Sequence, residues 1–204
     1  IIGFSSAPSE KKKRIFEAET EIQCGNINFY LMDAPDVFIE STATNLFGQP
    51  KFIHGNKPSD GSNLILTPEE REELLRQDPA AEPFIRPFAG GADFLRGQKR
   101  YCLWLVGIEP SELKKHPAIM KRIEGVREMR LASTAKATRE KAATPWLFFT
   151  VTQPERGNML VGPQVSSGRR RYVPFGFCSS EVIANDMLLV MPDADLYTFG
   201  IMMS

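Results

Sequence analysis

Short apolar segments alternate with loops rich in glycine, proline, asparagine and aspartate, and this spacing limits what the chain can fold into. Residues 67–77 begin with a helix-start signal, and residues 111–143 show helix-like spacing of apolar residues. At 204 residues the chain has the length of one domain. The sequence therefore predicts a mixed α/β (α+β) domain with two or three helices and several short strands. The strand-like segments are residues 101–106, 146–151, 159–161, 172–177 and 187–191.

The start of the first helix carries the clearest local signal. Thr67 can cap the first turn, Pro68 suits the first helical position, and Glu70 stands where a capping box places its carboxylate. The helix is expected to end at Gln77, before the Asp-Pro pair that follows.

The middle of the chain predicts two strands and a longer helical region. Residues 84–105 predict a strand, a glycine turn at Gly90-Gly91 and a second strand. Residues 111–143 predict a helix that is interrupted near Pro117. Within it, an apolar stripe shares one face with Arg130. The stripe consists of Ile119, Ile123 and Val126.

Net charge gives no hint of a partner, because 25 basic residues balance 25 acidic ones. The distribution is uneven, with twelve Lys or Arg residues and five acids between Arg96 and Lys141. A neutral chain with a basic second half can still present a positive field to a polyanion.

Cysteine and histidine usage argues against a structural metal or a disulfide framework. Cys24, Cys102 and Cys178 lie far apart, and only His54 and His116 could join them as ligands. The sequence shows no secretory signal and no apolar run long enough to span a bilayer. A reducing cytosol is the expected location, with no membrane partner.

The motifs of common catalytic centres are missing from this sequence. It has no phosphate-binding glycine loop followed by Lys-Ser or Lys-Thr, and no Gly-x-Ser-x-Gly elbow. It also lacks the glycine-rich cofactor loop and the Asn/Asp-Pro-Pro-aromatic motif of an amino-methylating DNA methyltransferase. No catalytic residue and no metal site is therefore predicted. One alternative stays open: a metal-dependent nuclease built on Asp33, Asp36 and Glu40, although acids beside a proline are typical turn formers.

The most unusual local feature is a polar and basic segment between two predicted strands. It contains Gln164, Ser166, Ser167, Gly168, Arg169, Arg170 and Arg171. Arginine forks, amides and hydroxyls are the groups that read base edges and hold phosphates. Such a triplet can equally be a basic hairpin edge that discourages strand pairing. If the segment is extended, Arg170 faces opposite to Arg169 and Arg171.

Across almost its whole length the chain resembles the target-recognition region of MmeI-type DNA methyltransferases, a group that includes fused restriction-modification enzymes. The resemblance rests on words that occur in the same order. They are Asn28-x-Tyr30-Leu31, Pro35-Asp36-Val37-Phe38, Gly55-Asn56-x-Pro58-x-Asp60-Gly61-x-Asn63-Leu64, Glu70-Arg71-Glu72, Phe84-Ile85-Arg86, Gly97-x-x-Arg100-Tyr101-Cys102-Leu103-Trp104-Leu105, Pro110-Ser111-Glu112-Leu113, Val126-Arg127-x-x-Arg130-Leu131-Ala132-Ser133, Ala137-Thr138-Arg139, Thr144-Pro145, Val165-Ser166-Ser167, Arg171-Tyr172-x-Pro174-x-Gly176-Phe177 and Phe199-Gly200.

The resemblance implies a domain that recognises a defined sequence in double-stranded DNA. The parent enzyme would transfer a methyl group from S-adenosylmethionine to adenine N6, and this part would hold no cofactor itself. Residues 1–22 would be the edge of the preceding methyltransferase domain with a connecting segment, and residues 23–204 the recognition domain. A domain that only packs against its neighbours without contacting DNA is a further alternative.

The resemblance also implies which positions read the target. Two positions just after the Ser-Ser pair, Gly168 and Arg170 here, would read one base pair. Relatives often carry an acid at the first of these positions, so Gly168 is a departure, and Asp93 stands where they tend to have Glu. Among the helical bases, the expected phosphate contacts are Arg127, Arg130, Lys136 and Arg139.

Overall fold

A computed structural model describes residues 12–38, 40–41 and 50–203 of the chain. Its contacts divide the chain into two compact units, Ile1–Leu46 and Phe47–Ser204. Residues 1–22 were predicted to be the edge of a preceding domain with a connecting segment, and of these residues 1–11 lie outside the described part.

The first unit contains an antiparallel hairpin of β1 (Lys13–Glu17) and β2 (Thr20–Cys24). Ile15 pairs with Ile22 near its middle, and Ala18 turns the chain with a φ of 52°. Val37 and Phe38, which follow the hairpin, belong to no strand.

The second unit contains two four-stranded sheets. In the first, the strand order is β4 (Ile65–Leu66), β6 (Arg100–Leu103), β5 (Ile85–Ala89) and β9 (Ile183–Ala184), and only the β5–β9 pair is parallel. In the second, the order is β3 (Ile53–His54), β10 (Leu188–Pro192), β7 (Asn158–Pro163) and β8 (Gly176–Ser179), all antiparallel.

Among the described residues, three helices have eight or more residues and three are shorter, where two or three helices were predicted. The six are α1 (Pro68–Gln77), α2 (Gly91–Arg96), α3 (Pro110–Leu113), α4 (Pro117–Leu131), α5 (Lys136–Glu140) and α6 (Leu196–Met203); 3₁₀ turns cover Pro79–Phe84 and Lys141–Ala143. The capping box at Thr67 is formed, with Glu70 N donating to Thr67 Oγ1 and Thr67 N donating to Glu70. The α+β prediction and the bounds of α1 are therefore confirmed.

Two clusters of buried side chains form the core of the second unit. The larger one joins the first sheet to α1 and α4, and includes Leu66, Leu74, Leu103 and Ile123. The smaller one lies on the second sheet around Val161, with Phe94 of α2 packed against it. Because β9 contributes Ile183 to the larger cluster and Ala184 to the smaller, the two cores meet at this strand.

Two expectations for the middle of the chain were wrong. The predicted glycine turn between β5 and β6 is the helix α2, whose first turn is held by Asp93 accepting a hydrogen bond from Gly90 N. Residues 146–151 are not a strand; they make a single bridge, between Thr150 and Lys57. Of their aromatic side chains, Phe148 is buried in the larger core and Trp146 packs against it.

Candidate nucleic-acid interface

The connection between β7 and β8, residues 164–175, is the basic segment that the sequence singled out. Its outgoing side is held by Gln164, whose backbone N–H donates to Met187 O at 3.1 Å. The Gln164 side-chain amide lies 2.8 Å from Asp186 O and 2.5 Å from the His54 ring nitrogen Nδ1. Since both contacts are made by the amide nitrogen, Gln164 anchors the loop through its side chain as well as its backbone.

The return side of the loop is held by Phe175. Its ring lies over Gly162 of β7, so closely that a Cβ placed on Gly162 would be 2.4 Å from Phe175 Cδ1. On its other side the ring contacts Phe52, with 5.5 Å between the centroids. The two ends of the loop are thus fixed to the sheet by one amide and one aromatic ring.

The tip of the loop is a tight turn. Arg170 N donates to Ser167 O at 3.0 Å, and Arg169 N donates to the Ser167 hydroxyl at 3.3 Å. This pattern places Gly168 and Arg169 at the centre of a four-residue turn. The expected alternation of Arg169, Arg170 and Arg171 on opposite faces of an extended strand was therefore wrong.

The three arginines of the tip are exposed and differ in their surroundings. The Arg171 guanidinium lies over the Tyr172 ring, 5.4 Å from its centroid. Arg169 and Arg170 have no ion-pair partner among the residues that the structure describes. Gly168 is open, with no atom within 4 Å of the place where a Cβ would be. The tip therefore presents two forked donors without ion-pair partners and room for a side chain at position 168.

Ser166 and Ser167 have different roles. Ser167 forms the turn, whereas the Ser166 hydroxyl is buried without a hydrogen-bond partner in the described part of the chain. A buried hydroxyl without a partner is costly. Ser166 is thus the tip residue whose polar group has most to gain from a ligand or a rearrangement.

A cavity that the sequence did not predict borders this loop. A cavity of about 300 Å³ lies between α2 and the start of the loop, and both Arg96 and Arg170 line it. The sequence held two signals for α2 that the glycine pair obscured: Asp93 three residues after Gly90, and Gly97 at the helix end, with a φ of 66°.

Of the four helical bases predicted to contact phosphate, three are exposed and weakly engaged. Arg127 and Lys136 each face a carboxylate at 3.9 Å, and Arg139 donates to the carbonyls of Ser133 and Thr134. These positions remain free to contact a ligand.

Arg130 is the exception, and its prediction was wrong. Its side chain has no exposed surface, and its guanidinium donates to five backbone carbonyls at 2.8–3.1 Å. Burial lowers the pKa of Arg130 from its ordinary value, and the charge of Asp60 opposes that shift. The five acceptors are Pro58, Ser59, Lys141, Thr144 and Leu147. A group so enclosed joins two loops to α4 and is not placed to touch DNA.

Five of the twelve bases between residues 96 and 141 have an ion-pair partner in the described part of the chain. They are Lys115 with Glu112, Arg122 with Glu70, Arg127 with Glu124, Lys136 with Glu140 and Arg100 with Asp93. Where both partners are exposed, such pairs contribute little to stability but lower the net charge of the surface. The predicted basic field is therefore reduced but not removed.

The acids of the alternative nuclease centre hold a turn together. Asp33 accepts hydrogen bonds from the backbone N–H groups of Gly25 and Asn26, and Asp36 accepts one from the Asn26 side chain. Within residues 12–38, 40–41 and 50–203, no group of three or more His, Cys, Asp or Glu residues is arranged to hold a metal ion. Nothing in their geometry favours a nuclease.

Comparison with known proteins identifies the family of this chain. The family described as MmeI, target recognition domain, matches residues 33–204. The chain belongs to the MmeI target recognition domain family. The sequence resemblance is thereby confirmed.

Two similar proteins match all or nearly all of this chain. It is 33% identical over 204 residues to DNA methyltransferase A of Bacillus subtilis (strain 168), covering 100% of this chain and 23% of that protein. It also matches the solved structure of the type IIL restriction-modification enzyme MmeI in complex with DNA, with a TM-score of 0.81 and 35% identity, over 97% of this chain and 27% of that one. This MmeI-family chain thus spans about a quarter of each relative. In its described residues, no helix is both long and apolar enough to cross a membrane.

Proposed function

We propose that this chain recognises a short defined sequence in double-stranded DNA on behalf of a methyltransferase that modifies adenine N6. The observation that carries the proposal is the β7–β8 loop, where the uncommitted guanidinium groups of Arg169 and Arg170 stand on a tip braced at both ends. The family match and the DNA in the MmeI complex support duplex DNA as the ligand.

Within this loop, Arg170 and position 168 would read one base pair of the target. An arginine that donates to both N7 and O6 of guanine contributes about 1–3 kcal/mol of discrimination against the wrong base. Gly168 has no side chain to read with, but it lets the backbone or a neighbouring side chain approach closely. Arg169 and Arg171 would hold phosphates, together with the exposed bases Arg127, Lys136 and Arg139, and so orient the protein without reading sequence.

The chemistry itself would belong to a preceding methyltransferase domain of the same polypeptide, with S-adenosylmethionine as the methyl donor. The chain contains neither the cofactor loop nor the catalytic motif that this reaction needs. In this proposal residues 1–22 connect that domain to the recognition domain of residues 23–204. Extrusion of the target adenine, which such enzymes require, would fall to the catalytic domain.

The experiment is to map the methylated sites of the full-length enzyme on a random-sequence DNA library. We expect Arg170→Ala to relax or change the base at one position and to leave the others unchanged. Gly168→Asp should alter the same position, because an acid would accept a hydrogen bond from cytosine N4. The matched control is Arg156→Ala, an exposed arginine that precedes β7 and so lies at the opposite end of that strand from the loop.

The outcome against the proposal is equally specific. If both loop variants methylate the wild-type sequence at an unchanged level, the loop reads no base. The chain would then be a packing domain that joins other parts of the enzyme.

A further inference from the structure

The cavity between α2 and the β7–β8 loop has a composition suited to an anion. Among the described residues that line it, the charged ones are Arg96 and Arg170, and no carboxylate lines it. The remaining wall is apolar or backbone, with Leu95, Val165 and Met187 among its members. Two like charges that border one cavity repel each other, and an anion bound at either of them reduces that repulsion.

The nearest acid on α2 cannot serve as the counter-charge. Asp93 is 4% exposed, accepts a hydrogen bond from Gly90 N, and is paired with Arg100 through Nε at 2.9–3.0 Å and through a further contact from Nη2. Arg96 itself is exposed and makes no ion pair within the described ranges. The positive charge of Arg96 is therefore left for a ligand.

The helix holds Arg96 in a fixed relation to the reading loop. Phe94, two residues earlier, reaches to 3.3 Å from where a Cβ of Gly176 would be, at the first residue of β8. The capping Asp93 fixes one end of α2, and Gly97 in the left-handed conformation fixes the other. Arg96 thus lies on a braced helix beside the loop. A side chain held in this way is suited to contact a phosphate and fix the register of the protein on the duplex, and is less suited to adapt to a base.

From this geometry we propose that Arg96 binds a backbone phosphate of the DNA, next to the base pair that Arg170 reads. The proposal rests on the proposed function, since it takes duplex DNA as the ligand. An arginine fork matches the phosphate oxygens and can donate to two of them at once. Arg96 would position Arg170 over its base pair and carry no sequence information of its own.

The experiment measures duplex binding by the full-length enzyme through fluorescence anisotropy, over a series of salt concentrations. Two duplexes are used, one with the methylated sequence and one with the same bases scrambled. The variants are Arg96→Gln, Arg96→Lys, Arg170→Gln and the control Arg156→Gln, which loses the same charge at the other end of β7. Thermal unfolding of each variant checks that the fold is retained.

The expected result for Arg96→Gln is weaker binding to both duplexes by the same factor. Its plot of log affinity against log salt should lose about 0.9 of slope, the value for one released counterion per phosphate contact on B-DNA. Arg96→Lys should keep the slope, because an ammonium still neutralises the phosphate. Arg156→Gln should match wild type, and the methylated sequence should be the same for wild type and both Arg96 variants.

Other results separate the failure of this proposal from that of the proposed function. If Arg96→Gln and Arg156→Gln have the same slope while Arg170→Gln weakens the methylated duplex selectively, the phosphate contact is wrong and the recognition function stands. If Arg96→Gln changes the methylated sequence, Arg96 reads a base, which also overturns the proposal. If every variant, including Arg170→Gln, has the same ratio of affinities for the two duplexes as wild type, the recognition function itself fails.

Discussion

Replacing Arg130 with methionine removes the guanidinium that donates to five carbonyls on two loops. Three of these acceptors keep another partner: Lys141 O, Thr144 O and Pro58 O receive the backbone N–H groups of residues 144, 147 and 149. The carbonyls of Ser59 and Leu147 lose the hydrogen bond that Arg130 gives them.

The magnitude follows from those two carbonyls. Leaving a buried acceptor without a donor costs about 1–3 kcal/mol. Because these two hydrogen bonds are only part-buried, the pair predicts a loss toward the lower end of that range, roughly 2–4 kcal/mol in total, in the free energy of unfolding. Methionine is apolar and of similar length, which keeps the cavity term small. Against a typical total of about 5–15 kcal/mol, this loss is large enough to unfold part of the population.

Urea denaturation of the chain, followed by tryptophan fluorescence, measures the effect. The matched control is Arg127→Met, one turn earlier on α4, where the side chain is exposed and a change within about 0.5 kcal/mol is expected. Arg130→Lys should lie between wild type and Arg130→Met, because an ammonium offers three donors for five acceptors. Equal unfolding midpoints for Arg130→Met and Arg127→Met would refute the view that the guanidinium joins the loops.

Three further predictions concern the loop and the helix cap. Gly162→Ala should cost about 1–3 kcal/mol of stability through overpacking against Phe175, and should speed proteolytic cleavage within residues 164–175. Gln164→Leu should raise hydrogen exchange at the loop ends without lowering the global stability by more than about 1 kcal/mol, since it removes hydrogen bonds on the surface. For Glu70, the hydrogen bond from Thr67 N lowers the pKa of its carboxyl below the ordinary 4.5, so wild type should lose stability relative to Glu70→Gln as the pH falls through and below about 4.5.

Each of these has its own control and contrary outcome. Gly168→Ala, at an open position, should leave stability and cleavage unchanged, and equal cleavage of Gly162→Ala would contradict close packing there. Unaltered exchange in Gln164→Leu would mean that the loop is held by other contacts. For Glu70, the stability difference between wild type and Glu70→Gln should be constant above about pH 5.5, and a difference that stays constant in acid would rule out the ionised cap.

Features that depend on neighbouring residues in the chain, such as the ends of α1, could be predicted from the sequence. The bounds of α1 follow from Thr67, Pro68 and Glu70, which act within one turn of each other. The helix α2 was missed because the Gly90-Gly91 pair is typical of turns. The side chain of its Asp93 is also hydrogen-bonded by Arg100 on a neighbouring strand, a contact that the local sequence does not reveal. The short length of α2 also gave no apolar periodicity to detect.

In the candidate site, too, local features could be predicted and contacts between distant residues could not. The basic segment was found from its composition, but the fold of the loop also depends on contacts at its two ends, with Gly162 of β7 and with Asp186 and Met187 just before β10. Arg130 shared a face with Ile119, Ile123 and Val126, which was a signal of burial. What that signal could not reveal was the set of carbonyls, up to 72 residues away in the chain, that makes a buried guanidinium tolerable.

The brace at Phe175 and Gln164 has a consequence for how such a domain can change over evolutionary time. The residues that fix the loop are distinct from those at its tip, and positions 168–171 contribute nothing to either core cluster. Substitutions at the tip should therefore leave folding almost untouched. In the proposed function the tip reads the target, so a lineage could move from one target to another by single steps without passing through an unstable ancestor. The loop ends, in contrast, should tolerate few replacements whatever the target.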